Sequence, residues 1–389
     1  MFKIQTLNAI SDVIFNRLTS DQYAVGKETA DADAILVRSA AMHDMALPES
    51  LCAIARAGAG YNNIPVDACT QKGIVVYNTP GGNANAVAEL AMGCMIAASR
   101  NMFEAQKWAL TLKGEGDKVP ALAEKGKGQF VGGELRGKKC AVIGLGAVGG
   151  KVANGAYNMK MSVAGYDPFL SVEFAWALSR GVKKASTMAE AVDGADFVTV
   201  HVPLTPDTRG YINAQLMEKM KDGVILLNLS RAELVDAEAV KAALDSGKIK
   251  KYVTDFATDE LLGYPGVITL PHLGASTPES EDNCAAMAAD QVADYLETGS
   301  IRNSVNFPVC ELAAWPGDRV CILHRNAPNL IAQITGIFGN AGINIEHMVN
   351  KSRKDAAYTV LDLSSPANEA ALAALRAIDG VYRVRWLAQ

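Results

Sequence analysis

The chain has 389 residues, enough for two or three domains at ~150 residues each, and its 49% hydrophobic and 20% charged residues exclude wholesale disorder. Lys and Arg number 37 against 42 Asp and Glu, a net charge near −5, which argues against a general nucleic-acid binder. No stretch approaches the ~20 apolar residues of a membrane span, the N-terminus lacks a secretion signal's basic start and apolar core, and seven scattered cysteines without a C-x-x-C pair read as small buried hydrophobes of a reducing cytoplasm.

Short apolar runs at 34–38, 51–56 and 73–78 end in turn or polar residues, and each precedes a helix-compatible stretch. That alternation predicts a parallel α/β sheet. A helical pattern follows over 85–112. Residues 113–128 hold four lysines and four glycines with little apolar periodicity, which reads as an exposed loop. Six strand candidates then appear at 140–144, 162–167, 197–202, 224–229, 252–256 and 267–270, the number in a full doubly wound dinucleotide-binding sheet. Another helical pattern covers 279–297. Beyond a linker containing Pro and Trp, residues 319–386 read strand, helix, strand, strand, helix, strand, the βαββαβ order of a ferredoxin-like domain. The expected fold class is α/β, with two doubly wound Rossmann-like domains and a C-terminal ferredoxin-like domain.

The chemistry concentrates at strand ends. Gly144-Leu-Gly146-Ala-Val-Gly149 is G-x-G-x-x-G between an apolar strand and a helix. The first glycine permits the turn, the second lets a pyrophosphate approach, and the third lets helix and strand pack closely. The amides of Ala147 and Val148 would face the phosphates. Asp167 closes the next strand, 23 residues after Gly144, where it can accept hydrogen bonds from ribose hydroxyls; no Lys or Arg follows it until Arg180, which favours NAD over NADP. Arg231 follows the fourth strand and can hold a carboxylate by two hydrogen bonds. His272 follows the last strand and suits proton transfer near neutral pH, with Glu260 or Asp259 as the carboxylate that would fix its tautomer. Arg38 and Arg56 end the first two strands of the N-terminal zone, where with Arg231 they could accommodate a substrate bearing two anionic groups in a cleft between domains. The five histidines lack paired metal-ligand spacing, so no metal is expected.

These residues, with Arg56-Ala-Gly-Ala-Gly-Tyr-Asn-Asn, Asn78-Thr-Pro, His201-Val-Pro-Leu-Thr-Pro, Asn228-Leu-Ser-Arg231 and Pro271-His-Leu-Gly-Ala-Ser-Thr, make a chain that resembles the D-isomer-specific 2-hydroxyacid dehydrogenases. The similarity is strongest to the phosphoglycerate dehydrogenase branch that carries a C-terminal ACT domain. The resemblance implies NAD-dependent oxidation of 3-phospho-D-glycerate, with another 2-hydroxy acid such as glycerate or glyoxylate, or a non-catalytic NAD-sensing scaffold, as alternatives. It implies a catalytic trio of Arg231, Glu260 and His272. It implies NAD contacts at Thr79, Gly144, Gly146, Ala147, Val148, Gly149, Asp167, Pro203, Ser230, Asp255 and Gly274, and substrate contacts at Arg38, Arg56, Gly58 and Arg231. It also implies a discontinuous substrate domain (1–98 and 273–308) around an NAD domain (99–272), an ACT domain at 318–389 with a serine site at His324, Asn326 and Asn344, and a cytoplasmic homodimer or homotetramer. The loop from Glu260 to His272 is short for the family, and the lysine-rich segment has no family counterpart.

Overall fold

The computed structural model describes residues 1–388. They form two compact units: residues 1–82 with the chain from 281 onward, and residues 83–280. The expected boundaries were 98/99 and 272/273; the helix Ala84–Ser99 packs against the helix Ala147–Asn158, and so goes with the second unit.

The first unit opens with β1 (Phe2–Leu7), β2 (Tyr23–Gly26), β3 (Ala34–Val37), β4 (Ala53–Arg56) and β5 (Val75–Tyr77). All pair in parallel, in the order β2-β1-β3-β4-β5, a doubly wound order. β1 and β2 carry no unbroken apolar run, because both are only partly buried and β2 is the edge strand, whereas β3 is buried throughout and reads as an apolar run. Successive side chains feed opposite faces. Ala34, Leu36, Ala53 and Ala55 join Ala288 and Val292 of the helix Pro278–Thr298, while Ile35, Val37, Ile54 and Val76 pack with Met42 and Leu51.

The second unit is built on β6 (Lys139–Ile143), β7 (Ser162–Tyr166), β8 (Val182–Lys184), β9 (Phe197–Val200), β10 (Val224–Asn228), β11 (Ile249–Thr254) and β12 (Val267–Thr269). The parallel order is β12-β11-β10-β9-β6-β7-β8. The order reverses between β6 and β9, so the ligand crevice of this fold lies outside their carboxyl ends. β8 was missed: it is a three-residue edge strand with two exposed lysines. The helical pattern of 85–112 proves to be two helices, Ala84–Ser99 and Met102–Leu110, broken at Asn101, whose φ of 52° lies in the left-handed region that Asn tolerates. Most of the segment 113–128, expected as a loop, is helical, from Gly116 onward. Val119–Gly126 forms a helix with Pro120 in its first turn, where a missing N–H costs nothing, and Phe130 beyond it stacks on Trp108 with ring centroids 5.3 Å apart.

The C-terminal sheet belongs to the first unit. β13 (Arg319–Arg325), β14 (Ile345–Arg353), β15 (Ala356–Leu363) and β16 (Val381–Leu387) are antiparallel in the order β14-β15-β13-β16, with the helices Leu330–Asn340 and Glu369–Arg376 between them, in the expected βαββαβ order. Val320, Ile322, Leu361 and Leu363 pack on those helices. The opposite face (Cys321, Leu323, Tyr358 and Val360) is buried in the core built around the helix Pro278–Thr298. Arginines secure this second contact. Arg385 donates to the carbonyls of Tyr295 and Leu296 at 2.8 and 3.0 Å, with its guanidinium 4.3 Å from the Tyr295 ring centre. Arg319 pairs with Asp362 and donates to Thr298 O at 2.9 Å, and Arg383 reaches Lys72 O and Glu49 O. Cations at a helix's last carbonyls complement its dipole. The ferredoxin-like sheet is therefore a layer of the first unit, with its central strands β13 and β15 covered on both faces.

All seven cysteines are free and six are buried. Burial pushes the thiols of Cys69, Cys94 and Cys310 up to about 11 and that of Cys140 to about 12, so these are inert hydrophobes. Among the described residues no helix is long and apolar enough to cross a membrane.

Candidate active site

The turn after β6 is closed on two sides and open on the third. Gly144 has φ +89°, and a Cβ there would sit 2.6 Å from the His201 carbonyl oxygen; at Gly149 it would collide with the Gly144 carbonyl. At Gly146 it would meet no atom within 4 Å. The open position is the second glycine, where a diphosphate would approach, and the helix Ala147–Asn158 starts beside it with first-turn amides that no intrahelical carbonyl can reach. Asp167 follows β7 with Oδ2 accepting from Leu145 N and Oδ1 from Phe169 N, each at 2.9 Å. Each oxygen keeps a lone pair for a diol. These residues fit a dinucleotide.

His201, one residue past β9, lies against this turn. Burial pushes its imidazole down to about 4, Nε2 lies 2.8 Å from Thr199 Oγ1, and Nδ1 is buried without a partner. It is a neutral packing residue. Pro203 beyond it is exposed, and its carbonyl accepts from Thr208 Oγ1 at 2.7 Å.

Asn228 at the end of β10 is fully buried and organises the next turn. Its Nδ2 donates to Arg231 O at 2.7 Å, its Oδ1 accepts from Ser230 N at 3.2 Å, and Ser230 Oγ donates to Val200 O at 2.8 Å. Arg231 is thereby presented at the surface, its Nη1 resting 2.6 Å from Ser230 O. In the sequence, Asn228 shows only as a lone amide closing an apolar strand.

Beyond β11 and β12 the structure departs from expectation. His272 Nδ1 lies 3.4 Å from Asp255 Oδ2, and the Phe256 ring lies 4.9 Å from the imidazole. Asp255 is only 1% exposed; Oδ2 also accepts from Gly274 N at 3.4 Å, and Oδ1 is buried with no partner. Glu260, the expected partner of His272, instead lies 3.8 Å from Lys241 Nζ, which also pairs with Glu238. Asp259 is exposed. Lys241 lies on the helix Ala237–Asp245.

In the first unit Arg38 follows β3 and pairs with Glu281 at 2.6 Å, both half-exposed. Arg56 ends β4 with its guanidinium over Gly58, whose φ is +152°; a Cβ on Gly58 would collide with that guanidinium. Thr79 is fully buried. Its Oγ1 accepts from Gly58 N at 2.7 Å and its own amide donates to Gly58 O, so it fastens the loop that seats Arg56.

The expected effector residues are not together. His324 is 2% exposed, with Nδ1 2.8 Å from Arg325 O and Nε2 2.8 Å from Thr359 Oγ1, so its nitrogens are spent inside the sheet and are not available to a ligand. Asn326 and Asn344 are exposed. They bond opposite ends of the β15 neighbourhood, Asn326 N to Asp355 O and Ser364 N to Asn344 O. At ~3.3 Å per residue that separation is roughly 30 Å.

Residues 92–274 match the family described as D-isomer specific 2-hydroxyacid dehydrogenase, NAD binding domain. The D-3-phosphoglycerate dehydrogenase of Escherichia coli is 31% identical over 352 residues, covering 87% of this chain and 82% of that one. The chain belongs to the D-isomer-specific 2-hydroxyacid dehydrogenase family. Another member, the D-3-phosphoglycerate dehydrogenase of Methanocaldococcus jannaschii, is 37% identical over 315 residues, 78% of this chain and 57% of that one. The chain spans about half to three-fifths of the length of several such curated relatives. Among solved members, NAD+-bound 3-phosphoglycerate dehydrogenase from Entamoeba histolytica superposes with a TM-score of 0.60 at 28% identity, covering 78% of this chain and 98% of that one.

Proposed function

We propose that this family member oxidises 3-phospho-D-glycerate to 3-phosphohydroxypyruvate with NAD, the reaction that opens serine biosynthesis. The observation that carries the reading is that one sheet's carboxyl ends hold an open glycine turn after β6, Arg231 after β10, and an imidazole set against a buried carboxylate after β12. Gly144, Gly146, Gly149 and the amides of Ala147 and Val148 would hold the diphosphate, and Asp167 the ribose. Bound nicotinamide supplies the hydride acceptor. Neutral His272 takes the C2 hydroxyl proton as the carbonyl forms. Arg231 holds the substrate carboxylate and steadies charge that develops on the new carbonyl oxygen. Arg38 and Arg56 are the cations for the remaining anionic group.

The discriminating experiment measures initial rates of NADH formation with 3-phosphoglycerate and with D-glycerate. A kcat/KM strongly favouring the phosphorylated acid is the expected result. Equal rates would reassign the substrate to another 2-hydroxy acid, and no NADH from any 2-hydroxy acid would point to a cofactor-sensing scaffold.

The same reading treats the C-terminal sheet as an ACT domain that binds serine in a cytoplasmic homodimer or homotetramer. Because Asn326 and Asn344 lie at opposite ends of the sheet, a site using both takes one from each of two copies. β14 supports that arrangement as an exposed nine-residue edge strand, the kind of edge that another chain pairs with. Calorimetry with L-serine tests it: binding should occur and be lost in Asn344→Ala, and an unchanged isotherm in the variant would remove the site.

A further inference from the structure

We infer that the first unit carries a binding site for a free α-amino acid with a primary-amide side chain, on the face of the helix Pro278–Thr298 that holds Gln291. The site is a hollow of about 520 Å³, within the ~300–1,000 Å³ usual for small-molecule sites. Asp290, Gln291 and Asp294 line it from the helix, with Gly81 and Gly82 of the turn beyond β5 and Arg302 of the segment after the helix. Gln291 decides the chemistry. It is 4% exposed, and its Oε1 and Nε2 are both buried without a partner among the described residues. Its buried neighbours on the helix, Ala288, Val292 and Tyr295, belong to the apolar core. Buried amide atoms left unpaired are rare and costly. A ligand's primary amide removes that cost: it offers one acceptor and one donor on a single edge, so an amide–amide pair satisfies both Gln291 atoms at once. The terminal torsion of Gln is broad, which lets the amide turn its edge to the hollow.

The charged groups beside Gln291 fit the rest of an amino acid. Arg302 lies 3.7 Å from Asp294 and 3.8 Å from Glu311, both longer than a hydrogen bond, so its planar fork is left to grip a carboxylate. Asp290 lies 3.9 Å from Arg17 Nε, again beyond hydrogen-bond length, and can accept from an ammonium group. The walls are set before a ligand arrives. Gly81 has φ +88°, and a Cβ on Gly82 would lie 2.7 Å from Cys284 Sγ, so this turn sits directly on the helix. The segment that holds Arg302 is flanked by two backbone bridges, Ile301 to Cys310 and Ser304 to Tyr77. Fixed walls lower the ordering cost of binding. No residue of this site belongs to the glycine turn, to the groups around Arg231 and His272, or to the serine site at Asn326 and Asn344.

Calorimetry and thermal unfolding of the full chain test this, with L-glutamine and L-asparagine as probes and L-glutamate and L-aspartate as controls. At least one of the two amides should bind saturably with a Kd below about 1 mM. Its acid counterpart should bind roughly tenfold more weakly or worse, because a carboxylate leaves Gln291 Oε1 facing another acceptor. Gln291→Met keeps the length and removes both polar atoms. It should cut the affinity for the amide by roughly tenfold or more, while the free variant melts no lower than wild type because the unpaired amide is gone. Arg302→Gln, a change at an exposed side chain, should cut the affinity to a similar extent. Asn344→Ala should leave the amide isotherm unchanged, and its loss there would assign the binding to the serine site instead. No saturable binding of either amide up to about 10 mM, equal binding of amide and acid, or an unchanged isotherm in Gln291→Met overturns the site. If Gln291→Met melts lower than wild type, Arg302→Gln decides, and wild-type affinity in that variant overturns the site. None of these measurements needs turnover, so an inactive enzyme would count against the dehydrogenase reading and leave this one standing.

Discussion

The two parallel sheets are wound alike but carry different chemistry at their carboxyl ends. The seven-stranded sheet ends in backbone amides around an open glycine, an arginine seated by Asn228, and an imidazole backed by a buried carboxylate. The five-stranded sheet ends in two arginines, one engaged by Glu281 and one lying over Gly58. Winding decides where a site can sit, and the one or two residues after each strand decide which functional groups it presents.

The comparison breaks most decisively at His272. His272→Ala should lower kcat by ~10²–10⁴-fold with NADH binding little changed, measured by initial rates and fluorescence titration; near-normal turnover would strip the second sheet of its chemical role. Next comes His201, under the glycine turn. Its folded state stays neutral down to about 4, against an ordinary value near 6.5. The unfolded chain therefore takes the proton first. Its contribution to stability is present above the ordinary value and is lost as pH falls toward 4, by an amount on the order of 3 kcal/mol. Urea unfolding at neutral and mildly acid pH should show this loss, and His201→Asn should flatten it; an unchanged slope in the variant refutes the account.

A matched pair of glycines sharpens the contrast. Gly149→Ala forces a methyl into the Gly144 carbonyl and should weaken NADH binding roughly five- to a hundredfold. Gly58→Ala forces one into the Arg56 guanidinium and should raise KM for the anionic substrate about tenfold while leaving NADH affinity alone. Reversed outcomes would mean that the roles of the two sheets had been exchanged. The smallest effect belongs to Glu281, which holds Arg38 in a half-exposed ion pair. Glu281→Gln should lower that KM by about two- to threefold, in keeping with the weakness of such pairs, and a rise in KM would show that Glu281 assists binding instead.

Much of the fold was legible because its signals are local. The unbroken apolar strands β3, β6, β9 and β10 and the spacing of Gly144, Gly146 and Gly149 carry their conformational reasons within a few residues. β1, β2 and β8 were not legible, since a partly buried strand lacks the apolar run that marks a fully buried one, and β2 and β8 are edge strands as well. The helix over 119–126 was hidden behind glycines and lysines, although Pro120 and the Ala, Leu and Glu residues after it favour helix.

By itself, the sequence determined the dinucleotide turn, the positions of Arg231 and His272 at strand ends, and the βαββαβ order of the last seventy residues, because each depends on neighbours along the chain. Only the tertiary structure decided which carboxylate faces His272, that His324 is spent inside its sheet, and that the central strands β13 and β15 of the C-terminal sheet are buried on both faces. Those outcomes depend on contacts between residues distant in sequence, such as Lys241 pairing with Glu260 and Arg385 gripping the last turn of the helix Pro278–Thr298, and no spacing along the chain encodes them.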